Sequence, residues 1–248
     1  DDVGGLVGAG GGLSNSYSTG NVSGHNDVGG LVGQGSVSDS YSTCSVTGHS
    51  DVGGLVGYTA GTVTNSYSSG NVTGERGVGG LVGWNGWGDV FDSYFTGNVT
   101  GNTYVGGLLG RMDLGSVSNS YYNYNEVLIN DKNMITTGAL FGEDFNQWLT
   151  SDKFLDVDER LSEENGYYLV NNVTDFKELL AFGQDGSLQF RLNNDLDLVT
   201  EPNFYIPYFA GEFDGNGHKI SNLSLNLDSV SPLGLFGWLV PDGEITDL

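Results

Sequence analysis

Along the first half of the chain, apolar and small polar residues alternate in short runs that never adopt the three-and-four spacing of a helix. Val3-Gly4-Gly5-Leu6-Val7-Gly8 is the first such run, and it returns at 28–33, 52–57, 78–83 and 105–110, with successive copies 25, 24, 26 and 27 residues apart. Between the copies stands a second run, Ser14-Asn15-Ser16-Tyr17-Ser18-Thr19-Gly20-Asn21-Val22-Ser23-Gly24, which recurs at 38–48, 64–74, 91–101 and, degenerating, from Ser118. Both runs favour β-strands, and neither can bury an apolar face alone, so each unit must stack on its neighbours. A propeller blade needs four strands and roughly 40 residues. One turn of a parallel β-helix fits a unit of this length. The pattern predicts an all-β chain folded as a right-handed parallel β-helix, a solenoid, with a short capping helix.

Residues 1–125 are read as five such turns. The text then loses its glycines, and 126–165 is expected to be a terminating cap or a linker, with a short helix from Gly142 to Leu149. Residues 166–248 begin a further β-helix. Thr174 to Phe182 reads as an amphipathic helix with a Thr/Asp cap at its start and Gly183 at its end. Leu188 to Leu192 and Leu196 to Leu198 follow as strands, and Ile220, Leu223, Leu225 and Leu227 are expected to continue the column. Leu233-Gly234-Leu235-Phe236-Gly237 is a bulkier form of the repeat phrase. The chain stops halfway through a turn and starts just before the next phrase. Joined tail to head with about ten residues between, the ends would complete one turn. The expectation is one period of a tandem array, whose partners are neighbouring copies of itself, end to end.

Composition sharpens this picture. There are 42 glycines among 248 residues but no three-residue period, so the glycines serve corners rather than a collagen helix. Eight basic residues face 31 acidic ones, a net charge of −23, which argues against nucleic acid and anionic membranes as partners. Nine of the 31 acidic residues precede residue 125, so the first half is a nearly neutral Gly/Ser/Tyr column. No run long enough for direct membrane insertion occurs in this segment. Cys44 is alone and stands where other copies have glycine, the place of a small filler rather than a nucleophile.

The phrases Gly5-Leu6-Val7-Gly8, Gly30-Leu31-Val32-Gly33, Gly54-Leu55-Val56-Gly57, Gly80-Leu81-Val82-Gly83 and Gly107-Leu108-Leu109-Gly110 resemble the GLUG repeat family. Gly211 to Leu223 is similar to the stretch that precedes such repeats in secreted bacterial and archaeal surface proteins. The resemblance covers most of the chain outside 126–165. It implies a right-handed parallel β-helix on a large extracellular protein, adhesins and the non-catalytic part of some immunoglobulin A peptidases among them. The peptidase activity does not carry over, because the chain has no His-Glu-x-x-His.

Several candidate sites stand beside simpler structural readings. Asn15, Asp39, Asn65, Asp92 and Asn119 fall in register and would form a hydrogen-bonded ladder in left-handed backbone. Tyr17, Tyr41, Tyr67, Tyr94 and Tyr121 form a second ladder, expected on the outside because the small serines beside them suit a narrow interior. Such a strip would either hold turns together or stack on sugar rings. Trp84 and Trp87, three apart in a loop insertion, are the most ligand-like feature, and glycans are the partner they would take. His25 and His49, with Asp27 and Asp51, offer a metal pair that later copies replace with Glu75 and Asn102. Asp195, Asp197, Asp214 and Asn216 carry alternate-residue oxygens of the kind calcium uses, although no twelve-residue calcium loop is complete. Asn21, Asn71, Asn98, Asn172 and Asn222 head glycosylation sequons. No opposed carboxylate pair recurs, so a polysaccharide-degrading β-helix enzyme is the minority reading. The function expected is that of a non-catalytic rod, stalk or filament at the cell surface, with a glycan-gripping adhesin as the alternative.

Overall fold

The computed structural model describes all of residues 1–248. It is a parallel β-solenoid built as two compact units, Asp1–Asn146 and Gln147–Leu248. The boundary lies inside the non-repetitive segment.

In the first unit, four parallel sheets run up the column, each turn adding a short strand to each sheet. The repeat phrase starts a strand at Val3–Gly4, Asn26–Gly29, Ser50–Gly53, Arg76–Gly79 and Thr103–Gly106. The pairing is in phase with the sequence: Val28 pairs with Val3 and Val52, and Val78 with Val52 and Val105. A second in-phase column is Val22, Val46, Val72 and Val99. Leu31, Leu55, Leu81 and Leu108 are fully buried between these walls. In the Val22 column strand alternation does the rest, since Val22 and Val46 are each flanked by exposed residues, whereas residues 28–33 of the repeat phrase are buried throughout.

The two glycines of the phrase are demanded by close approach. A Cβ on Gly53 would lie 1.9 Å from the Val56 carbonyl of its own corner, and one on Gly54 would lie 2.1 Å from the Gly80 carbonyl of the next turn. Only glycine lets the chain fold that tightly and still stack.

The second run supplies a serine ladder. Ser16, Ser40, Ser66 and Ser93 donate their peptide N–H to the hydroxyls of Ser40, Ser66, Ser93 and Ser120, at 3.0–3.1 Å. Each hydroxyl in turn donates to the carbonyl two residues before it. No buried side-chain polar atom in the chain lacks a partner.

The interior is not uniformly narrow. The inward position beside each tyrosine is Ser18, Ser42 and Ser68 in the lower turns, but Phe95 and Tyr122 in the upper ones, all buried. Gly80 and Gly107 make room for these rings, for a Cβ there would meet Phe95 Cδ1 at 2.2 Å and Tyr122 Cε1 at 2.6 Å. The Tyr122 hydroxyl donates to the Met134 carbonyl at 2.5 Å and accepts from the Thr136 N–H at 2.9 Å. Around it, Val127, Ile129, Met134 and Ile135 are buried, and Ala139–Leu140 pairs in parallel with Tyr121–Asn123. Residues 126–146 therefore form a closing turn of this unit. A helix, α1, spans Gly142–Thr150, as the sequence suggests, and its Phe145 is buried edge-on to Tyr94.

In the second unit, Tyr167–Val170, Gln189–Leu192, Glu212–Asp214 and Glu244–Thr246 form a parallel sheet, with Ile206–Phe209 beside Phe236–Leu239 and Leu196–Asp197 beside Ile220–Ser221. The core is aromatic. Phe176 meets Phe204, Phe213 and Phe236 edge-on at 5.8–6.2 Å. The single helix expected over 174–182 is two short ones, α2 (Val173–Lys177) and α3 (Leu179–Phe182), and the cap is Asn172, whose side chain accepts from the Asp175 N–H. Thr174 and Asp175 do not cap because the helix starts at Val173 and takes them into its first turn, from which the Asp175 carboxylate reaches back to accept from the Asn171 N–H at 2.9 Å. The expected leucine column also ends early, since only Ile220–Ser221 is strand and Leu223 is exposed.

Candidate functional site

The left-handed ladder is present as expected. Asn15, Asp39, Asn65, Asp92 and Asn119 all have φ between 43° and 52°. The tyrosines beside it point outward. Tyr17, Tyr41, Tyr67 and Tyr94 stack at 5.2, 5.0 and 4.9 Å with interplanar angles of 5–8°. Their faces therefore cover one another, and the strip shows solvent ring edges and hydroxyls. A sugar ring needs an aromatic face, and the strip offers one only at its Tyr17 end, where the side chain is 62% exposed. Tyr121, the fifth member, is buried. Burial, followed by the neighbouring Tyr67, raises the Tyr94 hydroxyl above its ordinary pKa.

The two tryptophans part company. Trp84 lies on the strand Val82–Asn85 rather than in a loop. Arg111 covers it at 4.4 Å, Tyr58 lies against it at 4.8 Å, and its indole N–H donates to Asp113 at 3.2 Å. Arg111 also forks onto Asp113 at 3.0 and 3.1 Å, so Trp84 is spent within the column. Trp87 stands at the tip of the next corner, 67% exposed. Asn85 holds that corner rigid, donating to the Gly88 carbonyl at 2.7 Å and accepting from its N–H at 2.8 Å.

The histidine corner is a surface stack. His25 and His49 lie 4.7 Å apart, His49 pairs with Glu75 at 3.0 Å, and His25 meets Asn26 at 2.9 Å. Asp27 and Asp51 do not join them as metal partners. Burial, then Asp51 and Asp2, push the Asp27 carboxyl up to about 6, with the N-terminal ammonium opposing. Burial also raises Asp51, against the lowering effect of Arg111 and Arg76. Asp2 makes a side-chain hydrogen bond with Asp27, an inter-turn pairing that the sequence signals only by the shared place of Asp2, Asp27 and Asp51 before the repeat phrase.

The oxygens proposed for calcium are not gathered into one cluster, and no group of three or more His, Cys, Asp or Glu side chains is placed to hold a metal. Asp195 accepts from the Lys219 N–H at 3.2 Å and faces His218 Nδ1 at 3.2 Å. Asp197 accepts from Asn222 at 2.7 Å and the Val199 N–H at 2.9 Å. Asp214 accepts from Arg191 at 2.8 Å and from the Asn216 N–H at 2.7 Å. The backbone N–H of Lys219 first, then His218, lowers the Asp195 pKa, and Asn222 followed by Val199 lowers that of Asp197.

The five sequon asparagines are exposed. Two of them also knit turns together: Asn71 accepts from the Asn98 N–H at 3.1 Å, and Asn98 from the Leu128 N–H at 2.9 Å. Asn172 caps α2 and Asn222 donates to Asp197.

The family model of the GLUG motif matches residues 48–73 and 74–100. Neither the curated proteins nor the solved structures contain a match. The matched residues are two successive turns of a column in which the same phrase recurs five times in register, so the chain carries GLUG repeats.

Proposed function

We propose that this chain is a non-catalytic structural segment of an extracellular surface protein, serving as a stiff scaffold. The observation that carries the reading is the in-register stacking of the repeat phrases and serine runs of the first unit, where Val, Ser, Tyr and Asn/Asp columns each bind one turn to the next. Such a column resists bending and protease entry because its backbone groups are engaged between turns. The family supports an extracellular setting, and no helix is long and apolar enough to cross a membrane.

In this reading its partners are neighbouring copies of itself, stacked end to end.

Electron microscopy of two copies joined in tandem tests the scaffold. Straight particles of constant width support it. Beads on flexible joints overturn it.

A further inference from the structure

The outer face of the first three turns carries a groove that the scaffold does not need. Two adjoining hollows of ≈560 and ≈310 Å³ share Ser36. Their floor is a pair of outward columns. Ser14, Ser38 and Thr64 are register partners, and Ser36 and Thr62 stand in the parallel column two residues before, with Val37 and Val63 buried between.

The hydroxyls of these five residues make no bond within the chain, whereas the serines of the inner ladder are all engaged. Higher in the same columns the positions are closed. Ser116 donates to Asp89 at 2.6 Å, and Phe91 occupies the place of Thr64 one turn above. The groove thus stops at the fourth turn, beside Trp87. Gly86 donates to the Thr59 carbonyl at 2.9 Å, and a Cβ on Gly88 would meet the Gly61 carbonyl at 1.9 Å. Trp87 therefore stands one turn above Ala60, which lines the groove. No charged side chain lines either hollow, in a chain of net charge −23.

We propose that this groove binds a neutral oligosaccharide. Two rows of free hydroxyls, stepping about 4.8 Å per turn, give alternating donors and acceptors to a ligand rich in hydroxyls. The rigid, exposed indole of Trp87 offers the one uncovered aromatic face beside them for the C–H side of a sugar ring. An acidic sugar would find no cation in the groove to pair with its carboxylate, since no charged side chain lines either hollow.

The test uses the full chain on an array of neutral and acidic oligosaccharides, followed by titration calorimetry with the neutral species retained. Trp87→Ala is expected to weaken binding about tenfold through loss of stacking. Thr64→Phe places in the groove the side chain that the same column already carries at Phe91, and it is expected to abolish binding without lowering Tm. Tyr17→Ala is expected to leave binding unchanged. The proposal is overturned if no neutral oligosaccharide binds at millimolar concentration, if binding survives both groove variants, or if uronates or a glycine-rich peptide bind as tightly.

Discussion

Asn65 donates its side-chain amide to the carboxylate of Asp39 one turn below, at 2.6 Å, and Asn119 does the same to Asp92. The column reads Asn, Asp, Asn, Asp, Asn. Every carboxylate is thus flanked by amides, and no two like charges meet at the spacing of a turn. Asn65→Asp would stack three carboxylates and remove a donor, and is expected to destabilise by about 1–2 kcal/mol. Thermal unfolding should show a Tm lower by roughly 3–8 °C, recovering in high salt. Asp39→Asn keeps the left-handed backbone and should change Tm little.

The close approach at Gly54 predicts a sharp contrast between two glycines. Gly54→Ala forces a methyl against the Gly80 carbonyl and should cost about 3 kcal/mol or more. Gly12 has open space where a Cβ would go, so Gly12→Ala should stay within about 0.5 kcal/mol of wild type. Equal denaturation midpoints for the two variants would contradict the tight corner.

Asp27 links stability to pH. Its folded pKa, about 6, lies above the unfolded value, so the native state binds the extra proton between about pH 4 and pH 6. Stability from this group is therefore full at the acid side of that window and is lost as pH rises through about 6. Asp27→Asn, which suits the positive φ, should raise Tm at pH 7 and leave it nearly unchanged at pH 4. A Tm difference that does not depend on pH would remove Asp27 from this role.

Tyr122→Phe keeps the ring that fills the upper turns but strips the hydroxyl from Met134 and Thr136. The buried partners left behind should cost about 1–3 kcal/mol. Burial raises the Tyr122 pKa well above the ordinary phenol range, so ultraviolet titration should find this tyrosine silent while exposed ones ionise.

The repeat arithmetic made the solenoid, the Asn/Asp ladder and α1 legible, because each rests on spacing or on one residue type meeting one backbone geometry. What escaped depended on side-chain direction or on contacts between turns. The tyrosine ladder left two uses open, cohesion between turns or stacking on sugars, and the face-to-face packing of Tyr41 and Tyr67 takes the first and uses up the surface a sugar would need. Trp84 looked like loop because Gly86 and Gly88 follow it, yet Val82 and Asn85 pair with neighbouring turns and carry it on a strand. Phe95 and Tyr122 replace serines that local parity expects inside, and only Gly80 and Gly107, far away in sequence, make room for them. Asn172 caps in place of the expected Thr/Asp because the helix starts at Val173, an end residue that the apolar spacing of Phe176, Leu179, Leu180 and Phe182 does not fix.

The serine ladder has a further consequence. From each ladder serine to the next repeat phrase the count is always twelve residues: Ser16 to Val28, Ser40 to Val52, Ser66 to Val78 and Ser93 to Val105. From the phrase to the serine it varies, 13 from Val3, 12 from Val28, 14 from Val52 and 15 from Val78 and Val105. The hydroxyl that receives the N–H from the turn below acts as a reset, returning the coil to zero phase whatever length preceded it. Insertions are thereby confined to a single corner and do not accumulate as drift up the column. That corner can diversify turn by turn, as the Trp87 loop does, while the rest of the coil keeps its metre.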